Sequence, residues 1–523
     1  MNPAAPRRLL LRLALLGALT PAVRAGPVNL FAFDDFALPY KRNLKLTFEA
    51  PRKFPGNPVL APGPHGSVDA AACSFYGSVI RVGGKFRMWY SAKSDRTIST
   101  GNLTPSARIA YAESDDGLHW TKPDLGLTEF AGNKHNNLVA LPGGIDYAKT
   151  EPLACFVLHE PDDPEPAHRY KMAVYAVYYP SDAERRATGM PADNNPSTIL
   201  PYFSSDGLTW TLAIPAPQKP WFDETEVPFT VRNNFEIGGL YKFDGIYCVA
   251  GQELSPDVFQ PDGTAVRRTM VTHWSGDFIH WSADKSYSFQ RYGYRNVRET
   301  LHEAHEPAAV WNRGNVLLAT FGLWYGAAAT VERRMDLGFL VSDDGVHFRE
   351  PVADHVFIPA GGDTDWDARG LLHGQGFENV GDDTYVYYGS WDVSGGIRQP
   401  GAVGLAVFGR DRLAALSLRD PIPAGGQFTS EPLANSGPSE LRLNVDGLSE
   451  SARLSVELID KAGAPIPGYA GADAASVTQS GFEVKVAWPG GTTIRCPNQA
   501  YRLRIRFIGS GATTIKFYAA YLE

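Results

Sequence analysis

Cysteine is scarce: four residues in 523, with no Cys-x-x-Cys pair. That excludes a disulfide scaffold and gives no support to zinc or thioredoxin-like chemistry. No basic block occurs, and 49 Lys+Arg against 57 Asp+Glu leave a formal net charge of -8, which argues against nucleic acid as the main partner. Low complexity and coiled coil are also excluded, because the 52 Gly, 39 Pro and the aromatics are spread along the chain. Long apolar runs are missing too. The one near the N-terminus, Leu9 to Leu19, is too short to span a bilayer comfortably.

That run has a different reading. Arg7, Arg8 and Arg12 flank it, Pro21 follows, and Ala22-Val23-Arg24-Ala25 has small residues suited to cleavage after Ala25. This is the grammar of a secretory signal, so residues 1–25 are expected to be removed. The mature protein is then expected in the periplasm or outside the cell, with no membrane segment. The rival reading is an uncleaved anchor. Cys73, Cys155, Cys248 and Cys496 each sit in an apolar, strand-like run, which leaves pairing and buried free thiols both open.

One phrase recurs four times: Ser114-Asp-Asp-Gly-Leu-His-Trp120, Ser204-Ser-Asp-Gly-Leu-Thr-Trp210, Ser275-Gly-Asp-Phe-Ile-His-Trp281 and Ser342-Asp-Asp-Gly-Val-His-Phe348. Ser and Asp cap a tight turn, Gly supplies a positive φ, and the closing aromatic packs back on the sheet. A β-rich run precedes each copy, such as Arg108-Ile-Ala-Tyr-Ala112 and Leu337-Gly-Phe-Leu-Val341. Upstream of each lies a second strand-like phrase, such as Lys85-Phe-Arg-Met-Trp-Tyr90, and before that a third, such as Phe75–Val82. A fifth set, Gly376–Val380, Thr384–Tyr388 and Val403–Val407, ends at Arg410-Asp-Arg412, where the turn has degenerated. Three strands and a turn, five times over, predict an all-β fold with a five-bladed β-propeller across 26–420. Pro421–Gly426 reads as a linker. The alternating segments beyond it, such as Leu454-Ser-Val-Glu-Leu458 and Tyr501-Arg-Leu-Arg-Ile505, predict a β-sandwich over 427–523.

Five predicted blades, the Ser-Asp-Gly-x-x-Trp turn and a C-terminal sandwich together resemble glycoside hydrolase families 32, 43 and 68. Runs such as Arg169-Tyr-Lys-Met172 and Trp311-Asn-Arg-Gly-Asn-Val316 are similar to a family-32-like bacterial branch. The Trp-Met-Asn-Asp-Pro, Arg-Asp-Pro and Glu-Cys motifs of family 32 are missing. The resemblance implies hydrolysis of an oligosaccharide or polysaccharide at the propeller axis, with no cofactor.

Cleaving a glycoside needs two carboxyl groups flanking the bond. The predicted strand starts offer Asp69, Glu151, Glu236 and Glu306 as catalytic candidates, while the fifth set offers His373 and Gln375. By resemblance Asp69 takes the nucleophile or base role and Glu151 the acid that tunes its neighbours. The general acid is contested between Glu236 and Glu306, and Glu160 rivals Glu151. Turn formers and solvated rim acids are the bland reading of each. Substrate binding is assigned to Arg232, His302, His305, Trp324, His373 and Trp391, since sugars need flat apolar faces and forked donors. His302 and His305 are three apart, and in an extended segment they point to opposite sides and cannot chelate zinc together. A structural Ca²⁺ at the axis stays open.

These readings converge on an exported glycoside hydrolase, exo-acting on a furanoside-type sugar. The rivals are a non-catalytic carbohydrate-binding propeller, and glycosyl transfer or phosphorolysis in the same pocket. The last would require Arg, Lys and His clustered around a phosphate.

Overall fold

The structure, a computed structural model, describes residues 27–94, 107–143, 145–189, 195–215, 235–253, 268–282, 284–291, 303–325, 334–391, 401–422, 425–433, 437–496 and 500–523, with the backbone alone at 303, 306 and 325. The fold is all-β. Among the described residues no helix is long and apolar enough to cross a membrane. The predicted signal segment, Arg232 and His302 lie outside the described residues.

Five antiparallel strand sets follow one another along the chain. Set one comprises Ala72–Val82, Lys85–Lys93 and Ala107–Ser114. Set two runs through Thr150–His159, Tyr170–Tyr178 and Ser197–Ser204. Set three holds Phe235–Phe243, Ile246–Glu253, Thr269–Ser275 and Ser286–Phe289. Set four is Glu303–Asn312, Leu317–Tyr325 and Arg334–Ser342. Set five is Leu371–Val380, Asp383–Ser390 and Val403–Gly409.

The recurring Ser-x-Asp turns form as their residue types dictate. Ser204 Oγ accepts the Gly207 amide at 2.9 Å, and Asp206 Oδ1 accepts those of Leu208 and Thr209 at 2.7 and 2.9 Å. The same pattern holds at Ser114, Ser275 and Ser342. The turn also reaches beyond its own set. Gly207 O accepts the Trp89 indole from set one at 2.7 Å, Gly345 O accepts Tyr241 from set three at 2.7 Å, and Gly117 O accepts Tyr387 from set five at 2.8 Å. Each such turn therefore latches the preceding set to its neighbour. In the fifth set Asp411 instead takes Arg313 of set four and Tyr521 near the C-terminus, which explains why the phrase has degenerated there.

The opening strands begin earlier than their apolar runs suggest, because each carries a register shift. The shifts fall at Ser74/Ser78, Pro152/Ala154, Ile237/Gly239, His305/Ala309 and His373/Phe377. A bulge breaks the alternation that marks a strand in sequence and bends the strand. Glu151, Glu236, Glu306 and His373 thus lie within strands rather than before them. The five opening strands pack in order and the last returns to the first, closing a ring. Beyond the bulges the ring is tight: a Cβ at Gly239 would come within 2.0 Å of Ala308 O. The Gln375 amide meets Leu240 O at 2.6 Å and Val310 O at 3.4 Å. Apolar layers fill the spaces between adjacent sets.

Two further sheets hold the C-terminal strands, but not those alone. Val28–Phe31, Leu44–Phe48 and Ala414–Leu418 join one of them, and Tyr40–Arg42 pairs in the other with Gly426–Thr429. The expected boundary near residue 420 is therefore crossed by N-terminal strands. Leu30 and Leu44 of these strands pack into the C-terminal core. All four cysteines are free and buried.

Candidate active site

Within the ring, on the side of the bulges where the opening strands begin, lies a cavity of about 240 Å³. All five sets line it: Ser74, Tyr76 and Lys93 from set one, Tyr175 from set two, Glu236 and Arg268 from set three, His305 from set four, Leu372 and Trp391 from set five. The convergence follows from antiparallel pairing. The start of a first strand, the end of a second and the start of a third share one end of a sheet. Lys93 accordingly pairs with Ala72, and Gln252 with Glu236.

Glu236 accepts a short hydrogen bond from the Gln252 amide nitrogen. Gln252 Oε1 in turn accepts from Arg268 Nη1 at 2.7 Å, so the amide relays between carboxylate and guanidinium. Arg268 lies over the Trp324 ring, 5.5 Å from its centroid. Trp324 stacks on His305 at 5.1 Å with an interplanar angle of 11°, and Trp391 tilts against both. Tyr76 meets His373 edge to face at 5.8 Å. The result is an aromatic cluster beside a carboxylate, with Ser74, Tyr76 and Tyr175 adding hydroxyl-bearing side chains to the lining. Such a mix of flat apolar surface and directed polar groups suits a polyhydroxylated ring.

Of the expected residues, Glu236, His305 and Trp391 line this cavity, and Trp324 supports it from behind. His373 is fully buried behind Tyr76. Glu306 follows His305 on the same opening strand, and its side chain lies outside the described residues. Two expected acids do not join the group. Asp69, 1% exposed, pairs with Lys122 at 2.5 Å and accepts from Tyr90 at 2.7 Å, Cys73 at 3.3 Å and the Gly63 amide at 3.1 Å. Burial would raise its carboxyl, but the Lys122 ammonium with Tyr90 and Cys73 holds it below the usual carboxylate range. A carboxylate so fully satisfied anchors the loop before set one and is not a wall of the cavity. Glu151 accepts from the Ala107 amide at 3.1 Å and Tyr179 at 2.8 Å, tying set one to set two. Its rival Glu160 is held by Lys171 at 2.7 Å and Lys242 at 2.6 Å, bridging sets two and three.

Sequence reasoning missed Lys93, Gln252 and Arg268. The available signal was positional: each lies where a second or third strand meets the end at which its opening strand starts. Among the described residues no group of three or more His, Cys, Asp or Glu side chains is arranged to hold a metal ion.

No family model matches the sequence, and no curated protein matches it. Solved structures do. A glycosyl hydrolase from Bacteroides ovatus is 16% identical, over 71% of this chain and 97% of that one, with a TM-score of 0.43. A β-1,2-mannobiose phosphorylase from Listeria innocua is 13% identical, over 70% of this chain and 97% of that one, with a TM-score of 0.41. An N-acetylgalactosamine deacetylase from F. plautii is 13% identical, over 68% and 97%, with a TM-score of 0.43.

Proposed function

We propose that the chain is an exported glycoside hydrolase built as a five-bladed β-propeller with a C-terminal β-sandwich, and that its active site is the cavity ringed by the opening strands. The observation that carries this reading is Glu236, a carboxylate on the cavity wall facing stacked aromatics, beside His305 and Arg268. Hydrolysis requires a second carboxyl, and we assign it to Glu306, next to His305 on the neighbouring strand. One of the two donates a proton to the glycosidic oxygen as the C–O bond breaks. The other attacks the anomeric carbon or removes a proton from the attacking water. A cavity of about 240 Å³ has room for about one sugar unit, and on that size we propose exo action on a furanoside-type sugar.

The test is turnover of a panel of aryl glycosides and oligosaccharides by wild type, Glu236→Gln and Glu306→Gln. Each variant is expected to lose roughly 10²–10⁴-fold in kcat. Wild-type rates in both variants would overturn the assignment. Sugar binding by calorimetry without any turnover would leave a carbohydrate-binding module instead.

A further inference from the structure

Lys93 ends the second strand of set one, half-buried on the cavity wall. Other lysines that are buried or half-buried here have a carboxylate partner: Lys122 has Asp69, Lys171 has Glu160 and Asp163, Lys53 has Asp367. Among the described residues the Lys93 ammonium has no ion pair or side-chain hydrogen bond. Glu236 is the single carboxylate among the described lining residues, and it is engaged by Gln252. Arg268, beside the third strand of set three, adds a second cation to the cavity lining, already oriented by Gln252 and Trp324. A neutral sugar would leave a partly desolvated ammonium without a counter-charge, which is unfavourable.

We infer that Lys93 forms an oxyanion subsite of the cavity, so that the bound ligand includes a carboxylate, sulfate or phosphate group at that point. This rests on the cavity being the carbohydrate site proposed above. The oxyanion has two sources: an acidic group carried on the sugar, or free inorganic phosphate bound beside a neutral sugar.

Full-length wild type, Lys93→Met and Lys93→Arg distinguish them. In one arm, aryl uronides are compared with neutral aryl hexosides of matching configuration. In the other, neutral aryl glycosides are turned over with and without inorganic phosphate. Wild type is expected to show a preference of about tenfold in kcat/KM in one arm. Lys93→Met should lose that preference through KM, and Lys93→Arg should restore much of it. An effect in the first arm assigns the oxyanion to the sugar, and one in the second assigns it to phosphate. No preference in either arm, or one unchanged in Lys93→Met, would overturn the subsite. Should no glycoside be turned over, calorimetric titration with glucuronate and with inorganic phosphate reads the subsite separately from hydrolysis. Binding of one, weakened in Lys93→Met, upholds the inference, and binding of neither removes it.

Discussion

At the scale of single residues, the turn glycines carry more than a backbone conformation. Gly207 has φ +78°, and a Cβ there would lie 2.8 Å from the Trp89 ring whose indole it anchors. Gly66, with φ +83°, has nothing within 4 Å of that position. Both substitutions to Ala incur the left-handed penalty of about 1 kcal/mol, and only Gly207→Ala also disturbs the latch. Urea denaturation is expected to place Gly207→Ala about 1–2 kcal/mol below Gly66→Ala. Equal losses would mean that the latch contributes nothing. Sequence made the turn readable even at Phe278, which takes φ +69° in place of glycine because its ring is buried against Phe203 and Trp281. It could not show that the carbonyl serves a neighbouring set, since that partner lies far away in the chain.

Between elements, charge clusters do the joining. Arg349, beside the set-four turn, gathers Asp34 at 2.9 Å, Asp35 at 2.6 Å and Asp343 at 2.7 Å, fastening the N-terminal segment. Three carboxylates share one guanidinium. Burial, with Asp343 nearby, pushes the Asp34 carboxyl up to about 7 despite Arg349. The folded state therefore holds this proton more tightly than the unfolded chain does. The stability linked to it is full below about pH 4 and is lost as pH rises through about 7. Urea midpoints for wild type should fall across that window, and Asp34→Asn should flatten the fall. An identical slope in the variant would remove Asp34 as its source. The opening strands show the matching limit of legibility. Apolar runs located all five, but bulges hid where they begin, and with that whether Glu151 or Glu236 faces the centre.

Over the whole molecule, the strand sets and the C-terminal sheets share a core. Phe31, Phe33, Phe339, Phe357, Phe408, Ala519 and Tyr521 form one buried cluster, drawing on both ends of the chain. A chain ending at Asp420 would leave unpaired the strand edges of Val28–Phe31 and Ala414–Leu418 that Lys516–Leu522 pairs with, and would uncover the apolar residues packed beneath the C-terminal strands. Such a truncation is expected to bind a hydrophobic dye and to melt without a cooperative transition, whereas the full chain melts in one step. A soluble truncation with a sharp melt would show that the sets fold alone.

Sequence by itself determined the all-β character, the recurring turn and the order of the sets. Alternation, capping and positive φ are local properties written within a few neighbouring residues. Tertiary structure decided which acids meet. Asp69 looked equivalent to Glu236, yet the first is neutralised by Lys122 while the second reaches the cavity. Lys93 and Gln252 lie at strand ends, and Arg268 just before a strand, with no repeated residue at those positions. Their approach depends on pairing register and on bulges that bend each strand, which are settled only when the ring closes.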